Sequence, residues 1–353
     1  MAEMKAVLLY GRQDLRIQDV EVPEVGAGDI LLRTKASYVC GTDVRMYKKG
    51  MPGIGAENPR ILGHEISGLI ETVGDGENRY RRGMRVTVLP NYGCGICDFC
   101  VDGNSQLCGD FKAIGISIDG GFAEYVLIPE KAVKQGNVVE IKSTVSFEEA
   151  ALAEPLSCVY NAFKKIGIYD GDTVLIIGAG PIGIMHAKIA RMAGAARIII
   201  NDIVRERLDL VELMDPFFEV LETRDLKKSI MEKTDGRGVD LVITAASAPS
   251  IQTIAFELAG INGRVMFFGG LPPDKSKIYV DTNQIHYKQI TVSGTTRQRP
   301  SHFRKVLELI TNGGIDLKDI ITESVGLDDV ARVLTDINQG IGLKKAILPD
   351  SES

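Results

Sequence analysis

Through the first 150 residues, apolar side chains come in short stretches cut by glycines and turn residues. KAVLLY, DILLRTKASYV, ISGLIETVG and MRVTVLP have the β-branched content and the length of short strands. Together they predict a compact β domain. From about Thr173 the texture changes. TVLIIG is a continuous apolar run, as expected of a strand buried on both faces, and a glycine turn and the helix-like PIGIMHAKIARMAGA follow it. ARIIIND, VDLVITAAS and GRVMFFGG repeat the apolar run, with a helical stretch near IQTIAFELAG before the last of them. Strand–helix–strand alternation predicts a parallel, doubly wound sheet. Beyond Arg297, FRKVLELITNG and LDDVARVLTDINQG read as helices, and KAILP reads as a final strand returning to the first domain.

The 353 residues leave room for two domains. Composition, 44% hydrophobic and 25% charged, is that of a globular protein, and no run of eighteen apolar residues crosses a membrane. MAEMKAVLLYG lacks a small-residue cleavage site, so it reads as a first strand and the expected compartment is the cytoplasm. Forty-one basic against forty-seven acidic side chains give a net charge of −6, which argues against nucleic acid or an anionic membrane as partner.

Charge says little about chemistry, but the cysteines say more. Four of the six fall within fifteen residues, as Cys94-x2-Cys97-x2-Cys100-x7-Cys108. Clustering without a secretion signal favours metal over disulfides. Tetrahedral zinc takes four thiolates at about 2.3 Å, and with all positions filled such a site is structural. A disulfide pair, an iron–sulfur cluster and a nucleic-acid zinc ribbon are the alternatives; the acidic balance and the long α/β segment count against the ribbon. Gly178-Ala179-Gly180-Pro181-Ile182-Gly183 gives G-x-G-x-x-G between a predicted strand and a predicted helix, the context of a dinucleotide loop. Asp202 ends the next strand, where a carboxylate accepts hydrogen bonds from the adenosine ribose and repels an extra phosphate. NAD is the expected cofactor, with NADP kept open by Arg205 and Arg207.

Cys40, in Cys40-Gly41-Thr42-Asp43, and His64, in Gly63-His64-Glu65, are unremarkable alone. With the four-cysteine loop, Glu154-Pro155-Leu156-Ser157 and GAGPIG in this order, they make the chain resemble the zinc-containing medium-chain alcohol dehydrogenases over essentially its whole length. The resemblance implies an α/β protein with a GroES-like β-barrel catalytic domain, residues 1–158 with 297–353 returning to it. It implies an inserted Rossmann domain over 159–296. It implies a catalytic zinc on Cys40, His64 and Glu154, with Glu65 a direct or exchanging ligand, and a structural zinc on the four cysteines. Asp43 would hold the His64 ring. Zinc would act as Lewis acid on an alcohol oxygen, and Thr42 would hydrogen-bond that oxygen. Hydride would pass to NAD. The family often carries a histidine where Arg45 stands; an arginine cannot shuttle protons, so the relay must end elsewhere.

Phe268-Gly269-Gly270 follows a strand where members of the family touch the nicotinamide half of the cofactor. Arg207 and Thr296 are expected as further cofactor contacts. Arg297 resembles the substrate-binding arginine of sorbitol-type enzymes, although Gln298 replaces the tyrosine beside it. The expected substrate is a secondary alcohol, best a polyol or sugar alcohol; L-threonine 3-dehydrogenase and butanediol-type enzymes are the rivals. A zinc-free quinone-reductase-like relative would not need these ligands. A homodimer or homotetramer is expected, often joined through the edge of the Rossmann sheet. Cys158 and His186 read as core, His286 and His302 match no ligand spacing, and the Arg79–Arg85 run reads as a solvated turn.

Overall fold

A computed structural model describes residues 2–77 and 79–349. The chain divides into two compact units, Met1–Ser157 with Gln298–Ser353, and Cys158–Arg297.

The first unit is built on a hairpin and a larger sheet. Glu3–Gly11 pairs antiparallel with Asp14–Glu21 on one side and Arg60–Ile61 on the other. The larger sheet runs Val138–Glu140, Arg85–Val88, Glu65–Val73, Ile30–Tyr38, Lys344–Ile347, Ile321–Val325, with Tyr125–Ile128 also on Ile30–Tyr38. Two apolar clusters fill the unit, one around Leu9, Leu62, Phe122 and Val333, the other around Ile30, Leu32, Ile66 and Val86. The last strand, Lys344–Ile347, lies in this sheet beside Ile30–Tyr38. Register brings distant residues together here. Tyr38 lies opposite both Glu65 and Ala346, so the ends of three strands meet at one place.

The second unit is a six-stranded parallel sheet in the order Phe218–Glu222, Arg197–Asp202, Thr173–Ile177, Val239–Thr244, Ala259–Phe267, Thr291–Gly294. The order reverses direction at Thr173–Ile177, the switch point where such sheets bind ligands outside their carboxyl ends. Leu175, Ile199, Val242 and Val265 are fully buried, as continuous apolar strands covered on both faces should be.

Helices are more numerous than the periodicity suggests. Arg205–Met214, Leu226–Lys233 and Thr282–Lys288 are too charged or too short to stand out, and Phe218–Glu222 alternates only weakly. The stretch assigned to β structure also ends in two helices, Phe147–Ala151 and Ala153–Ile166. Ser146 and Glu149 cap the first reciprocally: the Ser146 hydroxyl accepts from Glu149 N at 3.1 Å, and Ser146 N donates to the Glu149 carboxylate at 3.2 Å. Among the described residues no helix is long and apolar enough to cross a membrane.

Candidate functional site

Cys40 follows the strand Ile30–Tyr38 and sits at the N-cap of the helix Gly41–Lys49. His64 immediately precedes, and Glu65 opens, the adjacent strand Glu65–Val73. Because Tyr38 pairs with Glu65, the three potential ligands converge: their donor atoms lie within 4.8 Å of one another. Asp43 occupies the third position of the helix and is fully buried. One of its oxygens accepts from Cys40 N at 2.8 Å, and the other faces His64 Nδ1 at 3.3 Å. A carboxylate on Nδ1 fixes the ring and leaves Nε2 for a metal. Burial opposes a charged His64, but the Asp43 carboxylate and Cys40 outweigh it and raise the ring well above its ordinary range, so a metal would displace a proton there.

Two buried carboxylates serve this place, each with its own partner. Both oxygens of Glu65 accept from the Lys344 ammonium at 2.5 Å. Lys344 is itself 4% exposed and comes from the last strand. Burial pushes Glu65 up to about 7, against the pull of Lys344. Glu154 lies in the first turn of Ala153–Ile166, outside the trio that stands within 4.8 Å; burial raises its carboxyl against the pull of His64, and its charge in turn helps to raise Glu65. Gln298 donates to Glu154 Oε1 at 2.9 Å. A thiolate, an imidazole and one carboxylate are a donor set that suits zinc, and three such ligands leave a fourth position exchangeable.

Thr42 lies in the same helix as Asp43, half-buried, with Arg45 Nη2 at 3.5 Å from its hydroxyl. Arg45 is exposed.

The four-cysteine loop follows the short strand Asn91–Tyr92. The sulfurs of Cys97 and Cys108 stand 3.7 Å apart, those of Cys94 and Cys100 4.0 Å. A tetrahedron with arms of about 2.3 Å has an edge of about 3.8 Å, whereas a disulfide closes to about 2.0 Å. The spacing therefore fits one four-thiolate metal and not two disulfides. Backbone N–H groups of Ile96 and Cys97 aimed at Cys94 push its thiol down to about 6, which favours the thiolate. Gln135 clamps the entrance, accepting from Gly93 N at 3.2 Å and donating to Gly93 O at 2.9 Å.

In the second unit, Gly178 adopts φ +116°, and its N–H reaches Asn201 O at 2.7 Å. A Cβ on Gly183 would meet Gly178 O at 1.8 Å, so only glycine lets the helix Pro181–Met192 close on the turn. Gly180, the N-cap of that helix, has open space where its Cβ would be, with Pro181 and Ile182 partly exposed behind it. That opening at a helix N-terminus suits a pyrophosphate. Asp202 ends its strand with one oxygen on Ala179 N (2.8 Å) and the other on Ile203 N (2.7 Å) and Val204 N (3.0 Å). Arg207 Nη1 lies 3.6 Å from Asp202.

Gly269 N donates to Thr244 O at 3.1 Å and its carbonyl accepts from Gln252 at 2.9 Å, fixing the turn that carries Phe268 and exposed Gly270. Thr296 and Arg297 are exposed, with Arg297 in the left-handed region at φ +54°. Asn161 holds this segment, donating to Thr295 Oγ1 at 2.7 Å and to Arg297 O at 2.9 Å.

Sequence reasoning misses Lys344, Asn161, Asn91 and the inward role of Gln298. No local signal could have found them: Lys344 stands 279 positions from Glu65, and Gln298 144 from Glu154.

Residues 26–140 match the alcohol dehydrogenase GroES-like domain and residues 181–312 the zinc-binding dehydrogenase domain. The chain is 30% identical to a sorbitol dehydrogenase of Bacillus subtilis (strain 168), over 92% of this chain and 91% of that one. It is 33% identical to an L-threonine 3-dehydrogenase of Rhizobium etli (strain CIAT 652), over 93% and 94%. Among solved structures, a zinc-binding dehydrogenase of Sinorhizobium meliloti 1021 bound to NADP superposes with a TM-score of 0.91 at 30% identity, covering 99% of this chain and all of that one. The 2R,3R-butanediol dehydrogenase of Bacillus subtilis superposes at 0.87 with 26% identity, over 98% and 100%. The protein belongs to the zinc-containing medium-chain alcohol dehydrogenases, with a GroES-like and a Rossmann-like domain. It is an oxidoreductase of the sorbitol, threonine or butanediol type.

Proposed function

We propose that the protein oxidises the secondary alcohol of a polyol or sugar alcohol to a ketone, with NAD as hydride acceptor. The observation that carries this reading is the buried convergence of Cys40, His64 and Glu65, with Glu154 facing them. Bound there, zinc supplies Lewis acidity that lowers the pKa of an alcohol oxygen toward neutrality. Asp43 keeps the His64 ring in one orientation. The Thr42 hydroxyl would hydrogen-bond the alcohol oxygen, accepting its proton as it releases its own toward solvent. Arg45 cannot carry it onward, so the relay would have to end elsewhere than at that position. Cys94, Cys97, Cys100 and Cys108 hold a second, structural zinc.

Asp202 favours NAD because three backbone N–H groups fix its charge at the strand end that reads the ribose. Phe268, Gly269 and Gly270 border the nicotinamide half. NADP is the second reading, supported by Arg207 beside Asp202 and by the NADP-bound relative. Arg297, exposed and held in place by Asn161, offers the donors that a polyol's further hydroxyls require. L-Threonine and 2,3-butanediol are the rival substrates, supported by relatives of similar identity.

We propose a second copy of the chain as partner. Among the described residues Thr291–Gly294 pairs on one side only, and Val292 on it is exposed, as are Tyr279 and Tyr287 just before it. An unpaired strand edge of that kind is a template for a like edge.

The deciding experiment is NAD and NADP reduction across polyols, L-threonine and 2,3-butanediol, with a zinc count. A polyol fastest with NAD, and two zincs per chain, are expected. Equal rates with NADP remove the role given to Asp202. Threonine or butanediol ahead of every polyol selects a rival substrate. No reduction with any of them overturns the reading.

A further inference from the structure

Gln298 is fully buried, and so are its neighbours Asn91 and Glu154 to within 6% exposure. A carboxylate only accepts hydrogen bonds. Gln298 must therefore turn its NH2 to Glu154, as it does at 2.9 Å, and its Oε1 then needs a donor on the other side. Asn91 Nδ2 supplies that donor at 3.0 Å. Asn91 is in turn held by its backbone: Asn137 Nδ2 donates to Leu89 O at 2.8 Å and to Asn91 O at 2.7 Å. Two residues away, Gln135 brackets Gly93 at the mouth of the four-cysteine loop. Gln298 and Asn91 each have one amide orientation that makes these bonds, so the pair is directional.

The two carboxylates at the metal centre are held in different ways. Glu65 gives both oxygens to a buried ammonium, which competes with any cation for its charge. Glu154 gives one oxygen to a neutral amide, which leaves its charge uncompensated by that bond.

We propose that Gln298 is a positioning residue that aims the Glu154 carboxylate at the catalytic metal, anchored through Asn91 and Asn137 to the strand that enters the four-cysteine loop. This rests on the reading of Glu154 as a member of the zinc site. It gives the 295–298 segment a second task. Arg297 stays exposed while the next residue turns inward, to the metal centre instead of the substrate.

The test uses the full-length protein with zinc, and with cobalt in the catalytic position. The variants are Gln298→Met, which keeps length and shape without the donor, Asn91→Leu, and Glu154→Ala. Release of zinc to a chelator and the visible cobalt spectrum are the readouts, and retention of the four-cysteine zinc reports folding. Gln298→Met is expected to speed release from the catalytic position at least about tenfold, in line with the loss of an outer partner of a metal ligand, and to alter the cobalt bands. Asn91→Leu should shift both in the same direction by less. If Glu154→Ala weakens the metal while Gln298→Met leaves release and spectrum as in the parent, the proposal is overturned and Glu154 keeps its place. If Glu154→Ala also changes nothing, the reading of Glu154 falls and the proposal with it. Should Gln298→Met fail to fold, Asn91→Leu decides: parent-like release and bands overturn the proposal.

Discussion

His186 lies in the helix behind the dinucleotide loop, 1% exposed, and neither ring nitrogen has a hydrogen-bond partner among the described residues. Its neighbour is Phe268, edge to face at 4.7 Å between ring centroids. Burial pushes His186 down to about 3. As the pH falls below about 6.5 the unfolded chain takes up a proton that the native ring refuses, so stability drops by about 1.4 kcal/mol per unit until the native ring also titrates. At pH 5 this one group costs about 2 kcal/mol relative to pH 7. His186→Leu should remove that share. Denaturant midpoints of both proteins at pH 7 and pH 5 measure it, and an equal loss in both would show that the ring is not the cause. The same group illustrates how a residue read as core can still be energetically distinct. Position in a helix predicts its burial, but only the packed neighbours show that nothing meets its nitrogens.

The four-cysteine loop belongs to the scale of the element. Ile96, Phe99, Val101 and Leu107 are exposed, and only Cys108 of the four cysteines is buried, so the loop has no apolar core of its own. Its short helix, Asp98–Val101, is far below the length that holds together unaided. A metal on the four thiolates would supply that order, and a closed thiolate site contributes about 10 kcal/mol or more to folding. Cys100→Ser is expected to cost one zinc per chain and to open residues 94–108 to limited proteolysis, while the parallel sheet stays folded. A loop that resists protease as well as the parent does would mean that protein contacts, not metal, hold it. The spacing of the cysteines made this element legible in the sequence, because four ligands within fifteen residues define a local site. The Cys40–His64–Glu65 site is the opposite case, since its parts come from three strand ends and two helices.

At the scale of the molecule, the strand Thr291–Gly294 closes one edge of the six-stranded sheet and, among the described residues, pairs only with Ala259–Phe267 there. If two copies join through this edge, Val292→Lys places two like charges at their contact and should shift the mass measured by light scattering toward the monomer. An unchanged mass would put the contact elsewhere.

The sequence by itself determined whatever is encoded over short distances. Continuous apolar runs gave the parallel strands because burial on both faces leaves no polar positions. Gly178 and Gly183 marked the turn because only glycine tolerates its φ and the 1.8 Å approach. The four cysteines marked a candidate metal site through spacing alone. Charged helices such as Arg205–Met214 and the weakly alternating Phe218–Glu222 escaped, because tertiary packing rather than pattern holds them. Only the tertiary structure decided what long-range register controls. Tyr38 opposite Glu65 and Ala346 gathers Cys40, His64 and Glu65 and brings Lys344 to Glu65. The return of the chain after residue 297 gives Glu154 its amide partner. No window of sequence contains both members of either pair, so a buried charge and the group that satisfies it become visible only when the strands are laid side by side.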